Sequence, residues 1–159
     1  NQKIIMCGIF GIIGDKKKFI KDSHKENNLY SSIDSLFESI ERRGKDSSGL
    51  IVVNSSEKKI NIIKNRDTIT NLAKIYDYKK ILNDNNDINL AAHSRMATHG
   101  KIIFSENCQP CIKNNLIVLH NGIITNHISL KKKFQFRADL DTSLINKIVS
   151  KFKKKIFNI

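Results

Sequence analysis

The chain has 159 residues, 40% of them hydrophobic, which suits a single domain with a buried core. No apolar stretch reaches the ~18 residues of a membrane span and the amino terminus lacks a secretory signal, which excludes a membrane protein and predicts a cytoplasmic one. The net charge of +13 allows non-specific attraction to polyanions, but no specific nucleic-acid binding is predicted, because the lysine triplets stand apart from any row of aromatic residues.

A strand and a helix are predicted in the first third of the chain. The strand covers 3–13, where β-branched and apolar residues follow one another without helical spacing. It is expected to be buried, with Cys7 in it or at its start. Apolar residues spaced three and four apart over 29–40 predict an amphipathic helix, and Gly44 is a plausible stop just beyond it.

The middle of the chain predicts a hairpin, a helix and two further strands. Segments 49–54 and 58–64 flank a polar turn and are typical of a β-hairpin. The apolar residues of 69–76 favour a second helix. Strands are predicted over 89–94 and 116–120.

A last helix is predicted near the end of the sequence. Residues 141–143, Asp-Thr-Ser, are good helix caps, and the apolar stripe of 144–152 has helical spacing. Strands in pairs with helices between them favour α+β layers over a βαβ repeat.

Single residues leave their roles open. Cys7 on an apolar strand is either an inert core thiol or a nucleophile. Asn121 and Gly122 form either a tight turn or a site that stabilises an oxyanion. Arg95 is either a salt-bridged arginine or a ligand-binding one, and Asp141 alone is best explained as a helix cap.

Six short motifs, in one order along the chain, change that balance. They are Met-Cys-Gly-Ile-Phe-Gly (6–11), Arg-Gly-Lys-Asp-Ser-Ser-Gly (43–49), His-Ser-Arg-Met-Ala-Thr-His-Gly (93–100), Glu-Asn-Cys-Gln-Pro (106–110), His-Asn-Gly-Ile-Ile-Thr-Asn (120–126) and Asp-Leu-Asp-Thr (139–142). Together they resemble the class II glutamine amidotransferases, and most closely the glutaminase domain of glucosamine-6-phosphate synthase. The resemblance extends from Met6 to about Val149.

The resemblance implies a fold and a domain organisation. The fold is a four-layer αββα sandwich of the N-terminal-nucleophile hydrolase type, truncated at its carboxyl end. Residues 1–6 are expected to be removed or to lie upstream of the true start. Residues 7–159 then form an incomplete class II amidotransferase domain, and the domain that consumes ammonia is absent.

The implied activity is hydrolysis of L-glutamine, with ammonia passed to a sugar-phosphate-type acceptor on another domain or partner subunit. The complete protein is expected to be a homo-oligomer. Two alternatives stay open: the amidotransferase half of another synthase, of the amidophosphoribosyltransferase or asparagine synthetase type, and a basic non-catalytic nucleic-acid-binding domain.

An amino-terminal cysteine suits this chemistry because it carries its own base. A thiol with a pKa near ~8.5 is mostly protonated at neutral pH, whereas a free α-amine has a pKa of ~7.7–8.0 and can accept the thiol proton. Removal of everything through Met6 would create that amine on Cys7 and free the nucleophile together.

Further roles follow from the resemblance. The Asn121 side-chain amide and the Gly122 backbone N–H would stabilise the oxyanion that forms on the glutamine carbonyl. Glycine permits an unusual backbone conformation and close approach of a ligand. Arg43 occupies the family position that organises the surroundings of the nucleophile.

The zwitterionic end of glutamine needs charges of both signs. Arg95 would hold the α-carboxylate in a two-pronged contact, which lysine cannot match. Asp141 would pair with the α-ammonium group, and Thr98 and His99 would complete the pocket, as the resemblance implies.

No cofactor or metal is expected. The three cysteines are an odd number at uneven spacing, which makes a disulfide framework improbable, and the single pair Cys108 and Cys111 is a poor zinc signal. Met96 stands where glucosamine-6-phosphate synthases usually carry a tryptophan, and Gln109-Pro110 looks more like the amidophosphoribosyltransferases. The sequence therefore does not identify the acceptor.

Overall fold

A computed structural model describes residues 7–20, 26–96, 108–113, 115–136 and 141–157. In these residues the strands occur mostly in pairs, and helices connect them. In chain order they are β1 (Gly8–Asp15), α1 (Lys16–Phe19), α2 (Glu26–Glu41), β2 (Ser47–Asn54), β3 (Lys59–Asn65), α3 (Ile69–Ile75), α4 (Tyr78–Asn83), β4 (Asp87–Arg95), β5 (Cys111–Lys113), β6 (Leu116–Val118), α5 (His127–Lys133) and α6 (Thr142–Phe157).

The main sheet has the strand order β1-β4-β2-β3, and all neighbours are antiparallel. The predicted hairpin is confirmed as β2 and β3. β4 lies between β1 and β2. Because β4 runs antiparallel to β1, the residue that follows β4 is next to the residue that precedes β1. That pairing brings Cys7 close to the end of β4, because Gly8 pairs with Ser94.

One face of the main sheet packs against α2, α3 and α4. Successive strand residues point to opposite faces, and Leu50 and Val52 on this face are fully buried. From α2, the side chain of Phe37 meets Phe10 of β1 with ring centroids 5.2 Å apart. Burial of such aliphatic and aromatic side chains stabilises the fold by about 1.5 to 3 kcal/mol each.

The opposite face of the sheet carries a second, smaller layer. Gly49 lies on this face, and a Cβ built there would clash with the Gln109 carbonyl oxygen, so segment 108–110 rests directly on the sheet. The hairpin of β5 and β6 follows this segment, and the Asn146 amide of α6 donates to the carbonyls of Cys111 and Leu116. The layers thus follow the order helices, sheet, hairpin, helix.

The α+β class is confirmed, and the layer order is compatible with an α/β sandwich. That the sandwich is an N-terminal-nucleophile hydrolase fold stays a prediction. No helix among the described residues has the length and apolar character needed to cross a bilayer.

Several local predictions were wrong. The first strand is not buried throughout, since Ile13 is 83% exposed on the face opposite α2; residues 3–6 lie outside the described residues. The helix predicted over 69–76 is confirmed as α3, but α4, which follows Asp77 with its left-handed φ of 40°, was not predicted. The strand predicted over 116–120 ends at Val118, and both β5 and α5 went unpredicted.

Candidate active site

Cys7 lies directly before β1, as predicted, and its sulfur contacts the backbone at the end of β4. The Met96 N–H donates to Cys7 Sγ over 3.4 Å, and the thiol lies 3.6 Å from the Met96 carbonyl oxygen. The thiol is partly exposed rather than sealed in the core. A fixed, accessible sulfur suits a nucleophile better than an inert core thiol.

The turn after α2 holds the backbone of Cys7 in place. Arg43 Nε donates to the Cys7 carbonyl oxygen over 3.0 Å. Gly44 packs against the main chain of β4, and a Cβ built there would lie 2.5 Å from the Arg95 carbonyl carbon and from the Met96 nitrogen. Gly44 follows the end of α2, as expected, and its lack of a side chain is required here by the close backbone approach.

Arg95 is the last residue of β4, and its side chain is only 3% exposed. Its charge acts on His93, which lies on the same face of the strand. Burial, together with the positive charge of Arg95, lowers the pKa of His93 from 6.5 to about 4, so His93 is neutral at neutral pH.

The loop at 120–124, which we call the arch, is held at both of its ends. At its start, the Gln109 side chain accepts from the His120 N–H over 2.6 Å and donates to the His120 carbonyl over 2.9 Å. At its end, the Ile124 N–H donates to Asp141 Oδ2 over 2.9 Å.

Asn121 and Gly122 lie between these anchors and are exposed. Gly122 has a φ of +155°, a conformation that residues with side chains rarely adopt, so glycine is needed at this position. The predicted oxyanion donors therefore share a short, exposed loop with fixed ends.

Asp141 precedes α6 and is 7% exposed. Its two carboxylate oxygens accept the Ile124 and Thr142 N–H groups, over 2.9 Å and 2.8 Å. The helix-cap interpretation therefore fits this residue. A carboxylate has about four acceptor positions, so capacity is left for an ammonium group.

Not every predicted residue has a described position. Thr98 and His99 lie outside the described residues, so their roles stay predictions. Cys108 and Cys111 are buried free thiols, and burial raises the pKa of Cys111. Within the ranges that the structure describes, no group of three or more His, Cys, Asp or Glu side chains could hold a metal ion.

Gln109 and Lys64 also belong to the site, although neither was predicted from the sequence. Lys64 Nζ donates to the carbonyls of Cys108 and Pro110, over 3.1 Å each, and so holds the segment that carries Gln109. Gln109 had a signal, because it stands in a motif directly before the only proline of the chain. Lys64 had none, since its strand predicts only a solvated lysine.

No protein-family model matches the chain. Curated relatives match nearly all of it, and they are glutamine-dependent aminotransferases. A Helicobacter pylori protein is 37% identical over 147 residues, covering 88% of this chain and 21% of the relative. A Buchnera aphidicola protein is 32% identical over 149 residues, covering 91% and 22%. An Encephalitozoon cuniculi protein is 32% identical over 168 residues, covering 95% and 22%.

These matches confirm the resemblance to the glutamine amidotransferases that the motifs predict. All three relatives are named glutamine–fructose-6-phosphate aminotransferase (isomerizing), and the chain is homologous to one segment of that enzyme. It spans about a fifth of the length of these relatives. The comparisons favour an amidotransferase over a nucleic-acid-binding domain.

Proposed function

We propose that the chain is the glutamine-hydrolysing part of a glutamine-dependent aminotransferase, with Cys7 as its nucleophile. The observation that carries the proposal is the position of Cys7 within a homologous sequence: its sulfur is partly exposed and lies 3.4 Å from the Met96 nitrogen. Residues 1–6 would be removed, so that the free α-amine of Cys7 serves as the base.

In the first step, the α-amine accepts the thiol proton and the sulfur attacks the carboxamide carbon of glutamine. The carbonyl π electrons move to the oxygen, and the tetrahedral intermediate collapses as ammonia leaves with a proton from the α-ammonium group. Water then attacks the glutamyl thioester, and glutamate and the thiol are released. This is covalent catalysis in two acyl-transfer steps.

The arch would stabilise the oxyanion in both steps. The Asn121 amide and the Gly122 N–H are the donors, and each such donor contributes ~3–4 kcal/mol in comparable sites. The exposure of both residues and the fixed ends of the arch support this assignment.

Arg95 and Asp141 would bind the charged end of glutamine, with Thr98 and His99 beside them. Support comes from burial, because Arg95 and Asp141 are only 3% and 7% exposed and carry opposite charges, as recognition of an amino-acid zwitterion requires.

The acceptor of ammonia would be a sugar phosphate bound by another domain or subunit. The names of the relatives support fructose 6-phosphate. Met96, which takes the position of the usual tryptophan, would alter the border of the ammonia path without changing the glutaminase step. Homo-oligomeric assembly and a cytoplasmic location of the complete protein are part of the same proposal.

The test is glutamine hydrolysis by the complete protein expressed with Met6 as its first residue. Ammonia release should be abolished in Cys7→Ala and retained in the matched control Cys111→Ala, whose thiol is buried. Intact mass should show Cys7 as the first residue. A processed, folded protein that leaves glutamine unchanged would refute the proposal.

A further inference from the structure

We infer that Gln109 is the positioning residue of the arch and that it sets the catalytic rate by fixing the oxyanion donors. The inference rests on the proposed function, because the oxyanion arises only if Cys7 attacks glutamine. The side-chain amide of Gln109 bonds to His120 and Thr142, rather than to Cys7 or to the donors themselves. Its effect is transmitted through the backbone of His120, which precedes Asn121.

The side-chain amide of Gln109 pairs with the backbone of His120 in the way that a neighbouring β-strand would. Its oxygen accepts the His120 N–H and its nitrogen donates to the His120 carbonyl, so both backbone groups of one residue are paired with one planar amide. Two such bonds fix the orientation of the peptide planes on either side of His120. One of those planes carries the Asn121 nitrogen, which leads into the donor loop.

Gln109 is itself fixed on the main sheet. It is 4% exposed and lies over Gly49, where any side chain would clash with its carbonyl oxygen. Lys64 donates to the carbonyls on either side of it, those of Cys108 and Pro110. The amide therefore transfers the rigidity of the sheet to a loop that has no regular structure.

The amide also connects the arch to the ammonium-binding end of the proposed site. Its nitrogen donates to Thr142 Oγ1 over 3.1 Å, and Thr142 follows Asp141. Asp141 in turn accepts the N–H of Ile124 at the other end of the arch. The oxyanion donors and the zwitterion site thus share one hydrogen-bonded frame, with Gln109 at its centre.

The test compares Gln109→Met with Asn146→Leu in the complete protein processed to Cys7. Asn146 is a matched control because it is also a buried amide with two bonds to backbone carbonyls, but it holds the hairpin rather than the arch. Gln109→Met should lower kcat by roughly 100-fold, the loss expected for one displaced donor. Its KM should change less than about threefold, because the interaction matters in the transition state.

Two additional readouts separate positioning from loss of structure. Alkylation of Cys7 by iodoacetamide forms no oxyanion, so its rate should be unchanged in Gln109→Met. An aldehyde analogue of glutamine does form a tetrahedral adduct, and its inhibition should weaken with kcat. If Gln109→Met does not fold, Gln109→Asn, whose amide is one methylene short of His120, should show the same pattern.

The outcomes are distinct. Equal losses of kcat in Gln109→Met and Asn146→Leu, in an active background, would overturn this inference alone. A slower alkylation of Cys7 in Gln109→Met would also overturn it, because the nucleophile and not the arch would then be disturbed. A wild-type protein that releases no ammonia would overturn the proposed function as well.

Discussion

The main sheet and the arch are held by different forces. Apolar side chains pack between the sheet and α2, α3 and α4, and Leu50 and Phe37 are at most 1% exposed. The arch has no such core, and its ends are held by Gln109 and Asp141 through hydrogen bonds to backbone N–H and carbonyl groups.

This difference assigns stability and rate to different regions. Apolar packing resists unfolding but tolerates small shifts, whereas hydrogen bonds fix direction and add about 1 kcal/mol each. The nucleophile is attached to the first region and the proposed oxyanion donors to the second. Substitutions in the sheet should therefore affect mainly stability, and substitutions around the arch mainly rate.

The largest expected effect is on stability, in the apolar core. Leu50→Ala removes a fully buried side chain and should lower the free energy of unfolding by about 2 to 5 kcal/mol. Leu36→Ala, at a position that is 38% exposed, should cost about 0.5 kcal/mol. Urea denaturation measures both. A fall in kcat of the folded Leu50→Ala protein would break the division between the regions.

The next largest effect is a loss of folding stability at acid pH, which we expect His93 to cause. Burial lowers the pKa of His93 from 6.5 to about 4, so the unfolded chain binds this proton at a higher pH than the native one. Stability is then lost as the pH falls from 6.5 to 4, by on the order of 3 kcal/mol. Urea denaturation at several pH values should show this slope, and His93→Gln should flatten it. An unchanged slope in His93→Gln would exclude His93 as its source.

A smaller effect tests the contact beneath the nucleophile. Gly44→Ala would force a methyl group into the Arg95–Met96 backbone and should cost about 1 to 3 kcal/mol of stability. The rate of glutamine hydrolysis by the folded protein should also fall, because the backbone N–H of Met96 holds the sulfur of Cys7. The matched control is Gly11→Ala, whose new methyl group would meet its neighbours at 3.6 and 3.8 Å. Equal activity in the two variants would contradict the assigned role of Gly44.

The smallest effect concerns the lysine that holds segment 108–110. Lys64→Met keeps most of the side chain but loses the two bonds to Cys108 and Pro110, and should cost about 1 to 2 kcal/mol of stability. Lys59→Met, at an exposed position of the same strand, should have no measurable effect on stability. If turnover is slower in Lys64→Met but not in Lys59→Met, the segment that carries Gln109 contributes to the rate, since Lys64 acts on the arch through Gln109.

The parts of the fold that could be predicted from the sequence belong mainly to the main sheet and its helices. The helix at 26–41 and the hairpin of β2 and β3 could be predicted, because apolar periodicity records burial against one face. The location of Cys7 at the start of β1 was predicted from a run of β-branched and apolar residues without helical spacing. The strand β6 was predicted, but β5 and its pairing with β6 could not be, since a three-residue strand carries too few residues to show a period.

Some site residues could be predicted from the sequence and others could not. Arg43 donates a hydrogen bond to the Cys7 carbonyl, and only the resemblance pointed to this residue, because periodicity does not identify site positions. The role of Gly44 was missed, since close approach to Met96 depends on the pairing of distant strands. Gln109 was missed because a side-chain amide that replaces a strand neighbour leaves no pattern in its own segment.

The central claim is that Cys7 is the group that attacks glutamine. Its most direct measurement is peptide mass analysis of the complete, processed protein after treatment with diazo-oxo-norleucine, a glutamine-like electrophile. One adduct on the Cys7 peptide, prevented by excess glutamine, is the predicted result. An adduct on Cys108 or Cys111 instead, or none in an active enzyme, would contradict the account.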